Sequence, residues 1–88
     1  MHYQFRYDSG NYSAEIKHYE ELSEEEIKRY MVTENTFLIY LQTPHDFKIF
    51  ELYQQAGDFA LEWKTKSMMY IDPAICKLIG KEIDNRSM

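Results

Sequence analysis

Apolar and polar residues alternate one by one in several stretches of this chain, and this two-residue period constrains the fold more than any other feature of the sequence. Successive side chains of a β-strand point to opposite faces, so each such stretch predicts a strand with one buried face. The first two stretches are residues 3–7 and 12–17, separated by the turn formers Asp8-Ser9-Gly10-Asn11. A four-residue loop there places Tyr7 opposite Tyr12 and puts the apolar residues of both strands on one face.

A second set of strands follows, although one part of it also fits a helix. Thr36–Gln42 is rich in β-branched and aromatic residues, which favours a strand. Residues 43–57 fit either a helix that stops at Gly57 or a strand between two four-residue turns. Turns at residues 43–46 and 55–58 align Phe37, Leu52 and Leu61 in one row and Ile39, Phe50 and Trp63 in the next. Because two separate loops then produce one apolar face, the strand is the preferred interpretation, with residues 59–66 as the last strand.

Capping residues predict two helices. Ser23 and Glu26 have the spacing of a capping box, and Asn35 is expected to end that helix. Asp72-Pro73 predicts the start of the last helix, after a connector formed by residues 67–71. Gly80 is expected to weaken this helix and to let it end early.

These elements predict a single α+β domain over residues 1–88, with residues 84–88 as a frayed tail. The element order is ββαβββα. A right-handed crossover from the second strand to the third places the third strand beside the first. The sequence therefore predicts a five-stranded antiparallel sheet in the order 2-1-3-4-5, with two helices packed on one face.

Charge and cysteine content argue against several kinds of partner. Fifteen Asp and Glu against ten Lys and Arg give a net charge of −5, which has the wrong sign for binding nucleic-acid phosphates or anionic lipid. The longest apolar run, near residues 37–41, is far too short to span a bilayer, and the N-terminus lacks the apolar core of a signal peptide. One cysteine, Cys76, cannot form an internal disulfide. We therefore expect a cytoplasmic protein with no nucleic-acid partner and no membrane partner.

No group of residues has the spacing of a catalytic, cofactor or metal site. His2 and His18 point to opposite faces of the predicted hairpin, and His45 lies in a remote turn. Cys76 falls on the apolar side of a helix, which is typical of a buried and unreactive thiol. Phosphate-binding and nucleophile-elbow patterns are absent. The sequence therefore predicts a protein that is not an enzyme and has no cofactor. An unrecognised small enzyme is the alternative, which a pocket with a perturbed titrating group near His18 or Cys76 would support.

Two surfaces are candidates for binding a protein partner. On the sheet face away from the helices, the alternation places large side chains among polar neighbours, a composition that interfaces favour. These residues are Leu38, Tyr40, Ile49 and Tyr53. The second candidate is the acidic run before and at the start of the first helix, formed by Glu20, Glu21, Glu24 and Glu25.

The leading hypothesis is a small non-catalytic protein-interaction module that forms a homodimer or regulates another protein. The acidic run supports an alternative, an inhibitor of phage type that mimics nucleic acid, although Lys17, Lys28 and Arg29 interrupt the run. Residues 23–83 also resemble double-stranded RNA-binding domains in their element order. That resemblance implies RNA binding through basic residues at the start of the last helix, where this chain has Asp72-Pro73-Ala74-Ile75.

Overall fold

The computed structural model describes residues 1–66 and 71–86, which form an α+β fold. Five antiparallel strands make one curled sheet in the order β1-β2-β3-β4-β5, and two helices pack against it. The elements are β1 (His2–Tyr7), β2 (Gly10–His18), a 3₁₀ turn (Tyr19–Glu21), α1 (Glu24–Tyr30), β3 (Thr36–Gln42), β4 (Phe47–Ala56), β5 (Leu61–Lys64) and α2 (Pro73–Arg86). The strand interpretation of residues 47–56 is confirmed. Most of the connector expected at residues 67–71 lies outside the described residues.

The predicted strand order 2-1-3-4-5 is wrong, because β2 pairs directly with β3 and leaves β1 at the edge. The length of α1 explains the difference. A right-handed crossover must carry the chain back along the whole of β2, which at nine residues is about 30 Å long. Helix α1 has seven residues and is only about 10 Å long. The chain instead returns where it left the sheet, with Phe37 opposite His18.

The two helices lie on opposite faces of the sheet, so the prediction of both on one face is also wrong. Residues of α2 join the core cluster with alternate residues of the central strands, among them Ile16, Ile39 and Phe50. Helix α1 contacts the strand residues between these, whose side chains lie on the other face of the sheet. The Glu26 carboxylate accepts hydrogen bonds from Lys17 and from Tyr40, whose side chains point away from that cluster. The sheet is therefore covered on both sides near its centre.

Three loops set the strand registers. The first loop has two residues, Asp8 and Ser9, both with positive φ, as a type I′ hairpin requires. Tyr7 thus pairs with Gly10, two residues from its predicted partner. The loop after β3 is confirmed, with Phe37 opposite Leu52 and Ile39 opposite Phe50. The loop after β4 is Gly57-Asp58-Phe59-Ala60, so Leu61 pairs with Ala56, four residues from the predicted Leu52.

Both helices differ in length from the prediction. Helix α1 has the expected capping box between Ser23 and Glu26, but it ends at Tyr30. Met31 adopts the left-handed conformation there, and the Val32 N–H donates to the Ile27 carbonyl, which closes the last turn. Helix α2 continues past Gly80 to Arg86, so three residues of the expected frayed tail are helical.

The core consists mainly of alternate residues of the central strands and one side of α2. Fully buried side chains on the strands include Ile39, Leu41 and Leu52, and those on α2 include Ile79 and Ile83. The first hairpin adds a row of half-buried aromatic rings to this cluster, with the Tyr3 and Phe5 ring centroids 4.9 Å apart. Neither helix in the described part of the chain combines the length and hydrophobicity that crossing a bilayer requires.

Candidate functional site

The histidines are separated, as their positions on the strands suggest. His18 packs edge-on against Phe37. His2 pairs with Glu15 across the first hairpin, and its side chain points to the other face of the sheet. The His18 side chain accepts a hydrogen bond from the Glu20 N–H and so caps the 3₁₀ turn. Within residues 1–66 and 71–86, no three His, Cys, Asp or Glu side chains lie close enough together to hold a metal ion.

Cys76 is in the core, on the side of α2 that faces the sheet. Its side chain is almost inaccessible, and burial raises the pKa of its thiol to about 11, with a smaller contribution from the negative charge of Asp72. A thiol with such a pKa is nearly all protonated at neutral pH and is a poor nucleophile. The geometry therefore gives no support to a cysteine enzyme.

A cleft of about 590 Å³ separates β5 from α2. Its walls include the apolar Trp63, Ile71 and Cys76 and the rim residues Lys77 and Lys81. Two of its acids are already hydrogen-bonded or paired: Asp84 accepts from the Trp63 indole and the Gln54 amide, and Glu62 pairs with Lys64. Among the described residues that line this cleft, a neutral Cys76 and the lysines do not form a nucleophile–base pair.

The acidic run forms a small exposed patch rather than an extended array. Glu20, Glu21, Glu24 and Glu25 are all exposed. Glu21 also has a structural role, because its carboxylate accepts the His18 N–H in a capping box. A surface that imitates the phosphates of a nucleic acid needs regularly spaced charges over a longer distance.

The predicted apolar contact face is largely occupied by the protein itself. Leu38 is completely buried, and Tyr40, Ile49 and Tyr53 are half-buried. Tyr40 donates a hydrogen bond to Glu26 and meets the Tyr30 ring edge-on, so α1 covers this part of the sheet. The structure does not bring these residues together with the acidic run into one open surface.

The contact between Glu26 and Tyr40 is also electrostatically distinct. The Tyr40 hydroxyl lies 2.5 Å from the Glu26 carboxylate, and Lys17 lies 3.4 Å from the same carboxylate oxygen. The hydrogen bond from Tyr40, followed by that from the Ser23 N–H, lowers the pKa of Glu26 to about 2. Burial and the same carboxylate raise the pKa of Tyr40. A lowered carboxyl pKa next to a raised phenol pKa suits structural attachment of α1, not proton transfer at neutral pH.

The most exposed apolar surface is in the β4–β5 arm, defined here as residues 54–63. Gln54, Gln55 and Ala56 extend beyond the end of β3 and pair only with β5, so the arm is two-stranded. Phe59 at its tip is fully exposed, at 102% of the reference area, and Leu61 is 64% exposed. The base of the arm is fixed to α2, because Asp84 binds both Gln54 and Trp63.

Sequence reasoning missed this arm because it placed the turn two residues too early. With the turn at residues 55–58, Leu61 would face Leu52 in the core, and the arm would not extend past β3. The Gly57 N–H instead bonds the Ala60 carbonyl, and the turn moves toward Phe59. Gly57-Asp58 followed by an apolar residue was the available signal of a projecting tip.

Searches with this chain found no matching protein-family model, no matching curated protein and no matching solved structure.

Proposed function

We propose that this protein is a small non-catalytic protein-interaction module that binds another protein through the tip of its β4–β5 arm. The observation that carries the proposal is the complete exposure of Phe59 at the end of an arm that extends past the rest of the sheet. In the proposed complex, Phe59 enters an apolar pocket of the partner and Leu61 packs at its margin. We propose the tip of the arm as the contact surface instead of the sheet face around Tyr40, which α1 covers.

Phe59 would contribute binding free energy on docking because its side chain is not buried in the isolated molecule. Burying a Phe or Leu side chain is worth about 1.5–3 kcal/mol, and the isolated molecule gains almost none of this from Phe59. Most binding energy at protein interfaces comes from a few large side chains that enter pockets. Asp84 holds the base of the arm through two hydrogen bonds, which reduces the conformational entropy that the arm can lose on binding.

The shape of the arm supports docking in a second way. A two-stranded hairpin without further strands is marginally stable in water. Three residues of β4 nevertheless continue beyond β3 and carry a turn that contains Phe59 and lies between the apolar residues Ala56 and Leu61. The arm also carries the exposed polar residues Gln54, Gln55, Asp58 and Glu62, so its apolar tip has polar neighbours, as interfaces favour.

The test compares affinity capture by the wild type and by a double variant, Phe59→Ser with Leu61→Ser. Both residues are exposed, so the stability of the double variant should stay within about 1 kcal/mol of the wild type. We expect a specific partner, identified by mass spectrometry from native lysate, whose affinity for the double variant falls at least about tenfold. Circular dichroism and urea unfolding of both proteins check that the fold is intact.

Two control variants locate the surface. Met31→Ser removes another exposed apolar side chain, 77% exposed and outside the arm, and should leave capture unchanged. Ile49→Glu tests the sheet face that the sequence first suggested. The proposal fails if the double variant retains the partner, or if Ile49→Glu loses it while the arm variant does not.

A further inference from the structure

The free edge of β1 is the feature that carries an inference beyond the arm. Among the described residues no strand pairs with the outer side of β1, because the sheet begins there. Sheet edges normally carry lysines, prolines or bulges that prevent pairing with another chain. The opposite edge, β5, has four residues with Lys64 at its end and Lys66 just beyond. The six residues of β1 include one charged side chain, Arg6, and no Lys, no Pro and no acid.

The hydrogen bonds of the first hairpin show which groups of β1 face outward. The backbone of Met1 exchanges two hydrogen bonds with Ile16, at 2.7 and 3.0 Å. Hydrogen-bonded and non-hydrogen-bonded pairs alternate in an antiparallel ladder. Residues 1, 3, 5 and 7 therefore bond β2, while the N–H and C=O groups of His2, Gln4 and Arg6 point to the open side. All three side chains are exposed on the face opposite the core cluster.

We propose that this edge pairs with the same edge of a second copy, so that two chains form one continuous ten-stranded antiparallel sheet with a two-fold axis at Gln4. The core-side residues of both chains lie on one face only if the numbers of two opposite residues add up to an even number. Centring the pair on Gln4 sets Gln4 opposite Gln4 of the second copy and His2 opposite Arg6 of the second copy. These pairs exchange about six backbone hydrogen bonds.

The core-side aromatic residues match in this register, whereas the other face sets Arg6 opposite His2 of the second copy. On the core side, Tyr3 lies opposite Phe5 of the second copy at a non-hydrogen-bonded position, where side chains are closest and aromatic pairs are favourable. These rings are already stacked within each chain. On the other side, two Gln4 amides meet and can bond each other. No carboxylate lies on β1 itself, although Glu15 lies opposite His2 on the neighbouring strand β2.

We choose a second copy as the partner because pairing about a two-fold axis gives every outward N–H and C=O group of residues 2–6 a hydrogen-bond partner. No chain of different sequence is needed. The interface is isologous, as in most homodimers, and it closes without leading to a filament. It does not involve the β4–β5 arm, so each copy keeps an arm free for another protein. The inference consequently stands or fails independently of the proposed function.

The first measurement is sedimentation equilibrium of the whole chain over a concentration series up to about 1 mM. We expect the mass to rise from the monomer value of 10.7 kDa toward twice that value. Gln4→Pro removes an outward N–H for which no described strand offers a partner, and edge strands tolerate such a proline. We expect this variant to stay folded and to dimerise at least about tenfold more weakly, since two hydrogen bonds are lost. Gln4→Ala, which keeps both N–H groups, should still dimerise.

Cross-linking tests the register. Gln4→Cys places two thiols across the axis with Cα atoms about 5.5 Å apart, within disulfide reach. Arg6→Cys alone separates the two thiols by roughly 14 Å, so mild oxidation should link only the first variant. The wild type, whose one cysteine is buried, is the background control.

Three results would overturn the proposal: a strict monomer over the whole range, a dimer unaffected by Gln4→Pro, or efficient linking of Arg6→Cys. If the protein is a strict monomer, the partner that pairs with the β1 edge would be an extended segment of another protein. The Phe59→Ser and Leu61→Ser double variant should dimerise like the wild type. Loss of dimerisation in that variant would place the interface at the arm and would also overturn the β1 edge.

Discussion

Gly80 contributes to this fold by having no side chain. A Cβ atom built at this position would lie 2.3 Å from the Trp63 indole, far inside contact distance. The ring therefore lies directly on the backbone of α2, and its N–H reaches Asp84 one helical turn later. The sequence shows only a glycine inside a helix, which normally weakens the helix because its backbone is more flexible. Here the close approach of Trp63 compensates for that cost.

Gly80→Ala separates the two effects of this residue. On an exposed helix, the change would stabilise by about 0.5–1 kcal/mol through helix propensity. At this site it forces the indole away, and we expect a net loss of about 1–3 kcal/mol in the free energy of unfolding. Urea unfolding measures the loss of stability. The fluorescence emission of Trp63 should shift to longer wavelength as the ring becomes more exposed to solvent.

Asn85→Ala is the matched control for that experiment, because Asn85 is an exposed residue of the same helix. It should change stability by less than about 0.5 kcal/mol. A Gly80→Ala protein that is as stable as the wild type, with unchanged emission, would show that the indole does not need the space above the glycine.

At the scale of elements, α1 is attached to the sheet by hydrogen bonds of Glu26 and by the ring contact between Tyr30 and Tyr40. It has no buried residue of its own, and its seven residues are too few for a stable isolated helix. Glu26 links the helix to Tyr40 of β3 and to Lys17 of β2, and it also completes the capping box with Ser23. One carboxylate thus caps the helix and docks it.

Because Glu26 does both, the stability of the protein should depend on pH in acid. The pKa of this carboxyl is about 2 in the folded chain and 4.5 in the absence of its partners. The folded state therefore binds this proton more weakly, and the stabilisation is complete above about 4.5 and lost as the pH falls toward 2. We expect the urea midpoint to fall over this window, and to fall less steeply in Tyr40→Phe, which lacks the largest cause of the shift.

Glu25→Gln is the control for acid titration in general, since Glu25 is exposed on the same turn. Its profile should follow that of the wild type. If Tyr40→Phe and the wild type lose stability in parallel between pH 4.5 and 2, then the Tyr40 hydrogen bond does not hold the carboxylate in its charged form.

The elements also show why some of the fold could be predicted from sequence and some could not. Side-chain alternation determines which face a residue occupies, and both register errors, by two residues at Tyr7 and by four at Leu61, are even and leave the faces unchanged. Alternation cannot distinguish such registers. Only the turn does, and Asp8-Ser9 in left-handed conformations is not the Gly-containing pair that would announce a two-residue turn. The candidate arm was missed for the same reason.

At the scale of the whole molecule, α2 joins the two ends of the sheet. Asp72, at the start of the helix, accepts a hydrogen bond from the hydroxyl of Tyr7 in β1 at 2.8 Å. Asp84, near its other end, binds Trp63 of β5. The helix therefore crosses the curled face from the first strand to the last and covers the core cluster between them. The short α1 does not allow β3 to pair with β1, so β1 and β5 are the edges of the sheet. The length of α1 thereby determines which strands α2 joins and leaves one side of β1 free.

A helix that bridges both edge strands should make the domain unfold as a unit, and Asp72→Ala tests this. The change removes the hydrogen bonds from the Ala74 N–H and from Tyr7, both of which lower the pKa of Asp72, so the start of α2 loses its cap and its tie to β1. Trp63, at the other end of the helix, reports on the distant strand. We expect the urea midpoint to fall equally by Trp63 fluorescence and by far-ultraviolet circular dichroism. Asp72→Ser, which can still cap, should lose less. Two separated transitions, with Trp63 unchanged while the dichroism falls early, would mean that α2 does not couple β1 to β5.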